Sequence, residues 1–313
     1  MLGFVLRRIA MAVPVILILI IFSFVLMRAA PGGPFTKERA LPPVVLENIN
    51  AKYGLDDPFL VQIGTYLKNI IFHFDFGPSF IYQDRTVNQI IADGFPVTLT
   101  YGFWAFVFAV LIGGGLGIAA ALKQNTWIDY LAVGFSIGAQ ALPNFIMAPI
   151  LVLVFTLWLN WLPGGGWWGG PGDANSYSSY LVMPVIALAT SYLASIARLT
   201  RSSMLEVLNS NFIRTARAKG LPDRTIIFRH TLKPALIPVI SYLGPAFVGM
   251  ITGSVVVDMF LSTGGIGKDF VQAALNRDYS VIMGITILVG MLTILFNLLV
   301  DVLYAWIDPR IRY

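Results

Sequence analysis

The chain has no cysteine, two histidines and little charge: Asp, Glu, Lys and Arg make up 12% of its 313 residues. Soluble domains carry about 25%. Without cysteine there are no disulfides, thiolate metal sites or cysteine nucleophiles, although the redox compartment stays open. His73 and His230 stand alone, with no second histidine or acid at ligand spacing, so no metal site is expected. No Ser/His/Asp set, nucleophile elbow or carboxylate pair in helical register stands out, and no catalytic residue is assigned. The net charge is +5, yet no basic face interleaved with aromatics appears outside one loop. Nucleic acid is therefore not an expected partner.

Hydrophobic residues make up 57% of the chain, with mean hydropathy +0.77. That composition implies an all-α membrane protein surrounded by lipid. Six apolar stretches are long enough to cross roughly 30 Å of hydrocarbon. They lie near Ile9–Met27, Val97–Leu122, Tyr130–Leu159, Tyr180–Leu199, Ala235–Leu261 and Val281–Ile307. The third and sixth exceed the minimum and are expected to tilt, kink or project beyond the bilayer. The first follows Arg7-Arg8, but its apolar run is too long for a signal peptide and no small-residue cleavage site precedes Pro31. It is expected to be a retained anchor.

Charge sets the expected orientation. With the N-terminus inside, the inner segments hold Arg7, Arg8, Lys123, the basic residues from Arg198 to Lys233, Arg310 and Arg312. That is thirteen of 21 basic residues on little chain, whereas the outer segments hold eight with ten acids. The positive-inside rule therefore places both termini in the cytoplasm. The expected organisation is residues 1–29 for the N-terminus and first span, and 30–95 for an extracytoplasmic segment. A five-helix core at 96–307 and a cytoplasmic tail at 308–313 follow.

In the outer segment, Pro42-Pro43 starts an expected helix that stops at Gly54. Asp57-Pro58 supplies an N-cap and N1 proline for another, running to about Phe72. Leu60, Ile63, Leu67, Ile70 and Ile71 form its apolar stripe, suited either to capping the spans or to docking a soluble partner. The loop from Trp161 to Ser179 is rich in Gly, Trp and Pro, and its tryptophans suit the membrane interface. Gly113, Gly114, Gly115 and Gly117, with Ala109 and Ala121, point to close helix packing. Pro143 and Pro149, with Pro238, Pro245 and three glycines of the fifth span, are expected to interrupt helical hydrogen bonding beside a cavity. This makes Pro143 and Asn144 candidate pathway residues. Asp258, an acid inside a span, is a candidate for the pathway or its gate. Asp301 is expected to have a structural partner.

Gly264 to Asp269 reads G-G-I-G-K-D but fails the phosphate-loop pattern at both ends, with Ser262 for the first glycine and Asp269 for the hydroxyl. The chain is therefore expected not to hydrolyse ATP.

The most specific string lies in the basic loop at about 200–234. From about Asn209 up to Lys219 the residues favour helix, Gly220 suits the left-handed position after a helix end, and Pro222 prevents continuation. Asp223 is the expected N-cap of a second short helix ending before Pro234. Thr215, Ala216, Arg217, Ala218, Lys219 and Gly220, followed by Arg229, His230, Leu232, Lys233 and Pro234, resemble the coupling loop of the peptide-importer permeases of the binding-protein-dependent ABC transport family. The resemblance extends along the chain: M-R-A-A-P-G-G-P-F after the first span, Lys123-Gln124-Asn125, W-L-P-G-G-G-W, A-L-N-R-D-Y and the ending D-P-R-I-R-Y. Three positions depart from the family pattern. Arg214-Thr215-Ala216 occupies the register of the general coupling glutamate, Gly264 stands where members commonly have proline, and Asp258 where they commonly have glutamate.

The resemblance implies a type I importer permease fold and one half of a membrane domain for oligopeptides. It implies a second permease subunit, two ATP-binding subunits that hold ATP and Mg, and an extracytoplasmic peptide-binding protein, all assembled in membrane lipid. Ile213, Arg214, Thr215, Ala216, Arg217, Ala218, Lys219, Gly220, Leu221 and Pro222 would then carry ATPase coupling. An ATP-independent secondary transporter or channel, or an importer permease for dipeptides or nickel, stays open as an alternative.

Overall fold

The computed structural model describes residues 2–29, 57–82, 84–169 and 176–307. The expected helix from Pro42-Pro43 to Gly54 and the tail 308–313 lie outside these. The described residues form helices α1 (Leu2–Ala29), α2 (Phe59–His73), α3 (Val87–Leu122) and α4 (Trp127–Ala141). Next come α5 (Asn144–Leu151, continued by a π-turn Val152–Trp158), α6 (Tyr177–Leu208) and α7 (Asn211–Ala218). The last three are α8 (Asp223–Leu261), α9 (Ile266–Asn276) and α10 (Tyr279–Ile307). Five are long and apolar enough to cross a membrane, and α4 with α5 makes a sixth if their bend of 106° lies within one span.

Two span starts differ most from hydropathy. The second span starts at Val87 rather than near Val97, because Thr86 and Gln89 form a reciprocal capping box and the helix runs through Pro96. The fifth begins at Asp223 and passes Pro234 without a stop. There Ile226–Thr231 adopts wider π-turns that shift the hydrogen-bond register just before the proline, whose missing N–H would otherwise break it. Pro222, not Asp223, is the capping position, and Asp223 is the first helical residue. Pro238 and Pro245 likewise lie inside continuous helix, so of the expected interruptions only the one at Pro143 separates two helices. In α2, Pro58 takes the capping position, and Asp57 contributes its backbone carbonyl to Gln62 rather than a side-chain cap.

The core lies where α3, α5, α6 and α8 meet around Tyr101, Leu188, Ile196 and Met250. A second cluster joins α1, α2, α9 and α10 through Ile20, Ile70, Ile266 and Ile287. Within α2, Ile63, Tyr66, Leu67 and Ile70 face inward, while Leu60 and Ile71 of the expected stripe are exposed. Arg8 pairs with Asp301 at 2.9 Å, giving that acid its structural partner and tying α1 to α10.

The glycines of α3 divide by face. A Cβ on Gly113 would meet the Leu193 carbonyl oxygen at 2.6 Å, and one on Gly117 the Ala197 carbonyl oxygen at 2.5 Å; Gly114 and Gly115 face open space. Gly117→Val should therefore push α6 away and cost about 1–3 kcal/mol or more. Gly114→Val should leave the thermal midpoint of the detergent-purified protein nearly unchanged, and an equal loss in both variants would refute the close-packing account.

Candidate functional site

Two features carry the candidate residues: an exposed helix–turn at one end and a buried carboxylate at the last turn of α8. In α7, Ile213 and Ala216 turn inward and pack on Ile226 and Val207. Arg214, Thr215, Arg217, Ala218 and Lys219 face outward, and none of the three cations has an ion-pair partner among the described residues. Lys219 caps α7. The Gly220 N–H then donates to the Arg217 carbonyl at 2.9 Å and the Leu221 N–H to the Ala216 carbonyl at 3.3 Å. That reciprocal pair is a Schellman turn, and it requires the positive φ of +73° found at Gly220. Pro222 follows at φ −65° as the capping residue of α8. The turn expected from the sequence is therefore present.

Residues of this surface outside the sequence-derived set are Phe212 and Phe228, both exposed. Together with Leu221 they give the basic turn an apolar component. Their signal in the sequence is a pair of phenylalanines within a short basic loop. Ile213 and Ala216 belong to the set but not to its outer face.

Asp258 is fully buried. Tyr101 Oη donates to its Oδ1 at 2.5 Å, Thr263 Oγ1 donates to the same oxygen, and the Gly267 N–H donates to Oδ2 at 3.0 Å. The Ile266 N–H donates to Thr98 Oγ1 at 3.0 Å. Gly265, the residue before α9, supplies no side-chain cap, so Asp258 and Thr98 accept the first amide hydrogens of α9 from two other helices. This explains G-G-I-G chemically. A Cβ at Gly265 would run into the Asp258 carboxylate and the Thr98 hydroxyl, and one at Gly267 into Val255 and Asp258; Gly264 turns the chain at φ +77°. The Gly–Trp loop closes over the same end: the Gly166 N–H donates to the Leu261 carbonyl at 2.6 Å, and Trp167 packs edge-on against Tyr101. Trp167 is thus part of the core surround, while Trp161 stays exposed as expected of an interface residue. Asp258 sits in a sealed polar knot joining α3, α8 and α9, and Pro143 and Asn144 occupy the separate break between α4 and α5.

Beside the knot, Asp269 of α9 lies over Gly94 of α3. Burial pushes its carboxyl up to about 6, against the opposing pull of Arg85 and Lys268. Because the folded value is raised, the contribution to stability is complete below the ordinary carboxylate value near 3.8 and is lost as pH rises through about 6. Thermal stability should therefore fall between pH 4 and pH 6 by an amount that Asp269→Asn removes; an unchanged pH profile in that variant would contradict the assignment.

Residues 113–313 match the family described as binding-protein-dependent transport system inner membrane component, and residues 1–102 match its N-terminal counterpart. The chain is 59% identical over 313 residues to the oligopeptide transport system permease protein OppB of Salmonella typhimurium, covering 100% of both. It is 56% identical, also over 100% of both chains, to OppB of Escherichia coli strain K12. With the dipeptide transport system permease protein DppB of Bacillus subtilis it shares 42% over 297 residues, 95% of this chain and 94% of that one. Among solved structures, the inward-facing MetNI methionine ABC transporter aligns with TM-score 0.54 at 15% identity, over 71% of this chain and 97% of that one. An amino acid ABC transporter with histidines aligns with TM-score 0.55 at 17% identity, over 70% and 94%. The fold is therefore that of type I importer permeases, and the chain belongs to the inner membrane component family of binding-protein-dependent transport systems, as a multi-pass permease subunit.

Proposed function

We propose that this permease forms half of the translocation pathway for oligopeptides in an ATP-driven importer. The observation that supports it most is the full-length 59% identity to an oligopeptide permease, together with the exposed helix–Schellman–proline turn at Gly220. The other half is a second permease of the OppC type. Two separate ATP-binding subunits bind ATP and Mg, and an extracytoplasmic peptide-binding protein delivers the substrate. Both termini and the turn at Gly220 face the cytoplasm, in keeping with the distribution of Lys and Arg.

In this reading the outer face of α7, with Phe212, Arg214, Arg217 and Lys219, seats on an ATP-binding subunit. Its inner face, through Ile213 and Ala216 on Ile226, passes movement to α8. ATP shifts the inward- and outward-open states only as far as it binds them differently. The deciding experiment is uptake of labelled di-, tetra- and hexapeptides into proteoliposomes containing this chain with its three kinds of partner. Uptake of the longer peptides that is lost without ATP supports the reading. ATP-dependent uptake of dipeptides alone would replace the substrate class, and flux without the ATP-binding subunits would overturn the mechanism.

A further inference from the structure

A cavity of about 160 Å³ opens between α3, α4 and α6, away from both features above. Its walls are small or aliphatic, with Gly117 and Ala120 from α3 and Ala132 and Ile137 from α4, while Arg198 and Arg201 of α6 stand at its edge. The two arginines have different circumstances. Arg201 is committed: its Nε and a terminal nitrogen donate to the two oxygens of buried Asp129 at 2.5 and 2.7 Å. Asp129 also accepts from the Asn125 N–H at 3.0 Å, which fastens the turn between α3 and α4. Arg198, one helical turn away and exposed, has no acid and no hydrogen-bond acceptor among the described residues. A cation within a span segment carries a free-energy cost unless an anion or water reaches it.

The surroundings indicate which anion. Helix α4 packs chiefly on α3 and α6, and its outer face is apolar, with Leu131, Phe135 and Ile137 exposed. Its first turn exposes Trp127 at 70% and Tyr130 at 67%. Amphipathic aromatics at a helix start, followed by aliphatic surface, are the signature of the headgroup boundary. Ile137 lies ten residues after Trp127, about 15 Å deeper along the axis. The cavity therefore runs from the level of the Arg201–Asp129 pair, near the headgroup boundary, to about the middle of the hydrocarbon at Ile137.

We propose that this cavity binds an anionic phospholipid. The phosphate sits on Arg198, and the glycerol and first methylenes fill the Gly/Ala-lined space beside α4. Arg201 and Asp129 hold the wall rather than the ligand. The site depends neither on the transported substrate nor on which membrane face bears it.

The test is native mass spectrometry of the whole complex after exchange into mixed phosphatidylglycerol and phosphatidylcholine. The wild type should retain phosphatidylglycerol about tenfold better than Arg198→Gln, the scale of one charge-assisted hydrogen bond. Arg198→Lys should recover part of that preference, and phosphatidylcholine retention should not change. Equal phosphatidylglycerol retention in wild type and Arg198→Gln would overturn the proposal. So would displacement by millimolar inorganic phosphate, which would make this a soluble-anion site. Efficient cross-linking of Ile137→Cys to the second permease in native membranes would overturn it too, since protein would then cover the cavity.

Discussion

Asp258→Ala should cost more than any other single change considered and abolish most of the folded yield. Three donors converge on this carboxylate, from Tyr101, Thr263 and Gly267, in a place with no exposure to solvent. Truncation leaves each of them buried without an acceptor, at about 1–3 kcal/mol apiece. The sum approaches the whole stability of an ordinary domain, about 5–15 kcal/mol. Asp258→Asn keeps the shape and one acceptor oxygen but turns an amide N–H toward existing donors, so it should fall between. Asp258→Glu keeps the charge and adds a methylene against Gly265 and Gly267, where even a Cβ already collides with the carboxylate. It should fold with a displaced start of α9. The measurement is the monodisperse fraction and thermal midpoint after detergent extraction. A fully stable Asp258→Ala protein would mean that water reaches the knot and that the carboxylate belongs to an open pathway after all.

That outcome bears on what the sequence made legible. An acid inside an apolar run signals that something unusual is present, but the same letter serves a gate or a cap. What separates them is the arrival of Tyr101 and Thr98 from a helix more than 150 residues earlier, which no local pattern announces. The glycines of α3 were easier, because period-four spacing states which face meets a neighbour, and the neighbour proved to be the backbone of α6. Span boundaries were blurred for a related reason. Hydropathy measures apolar content, whereas α3 begins at a polar capping box and α8 at a charged turn. Prolines are ambiguous in the same way: Pro238 and Pro245 sit inside continuous α8, because membrane helices tolerate the lost bonds. The helix end at Gly220 is legible because a helix-favouring segment, a glycine suited to the left-handed region and a following proline all act within a few residues.

Gly220→Ile should separate ATP hydrolysis from uptake. The glycine adopts φ +73°, yet an added Cβ would meet nothing within 4 Å. The penalty is therefore backbone strain of about 1–2 kcal/mol, not a clash. That is too little to unfold the protein and enough to reopen the turn whose bonds run from Gly220 to Arg217 and from Leu221 to Ala216. Once reopened, α7 loses its fixed angle to α8 while its inner contacts through Ile213 and Ile226 still hold. ATP hydrolysis by the assembled complex should continue within a few-fold of wild type, whereas peptide uptake per ATP should fall about tenfold, equivalent to roughly 1.4 kcal/mol of lost coupling. Gly220→Asn, which tolerates the left-handed region, should retain most of the coupling. Both quantities are read in the same ATP-loaded proteoliposomes, with labelled peptide and released phosphate both measured in the lumen, the side that carries the ATP-binding subunits. A normal ratio in Gly220→Ile would remove this turn from the coupling path and leave the outer face of α7 alone to account for it.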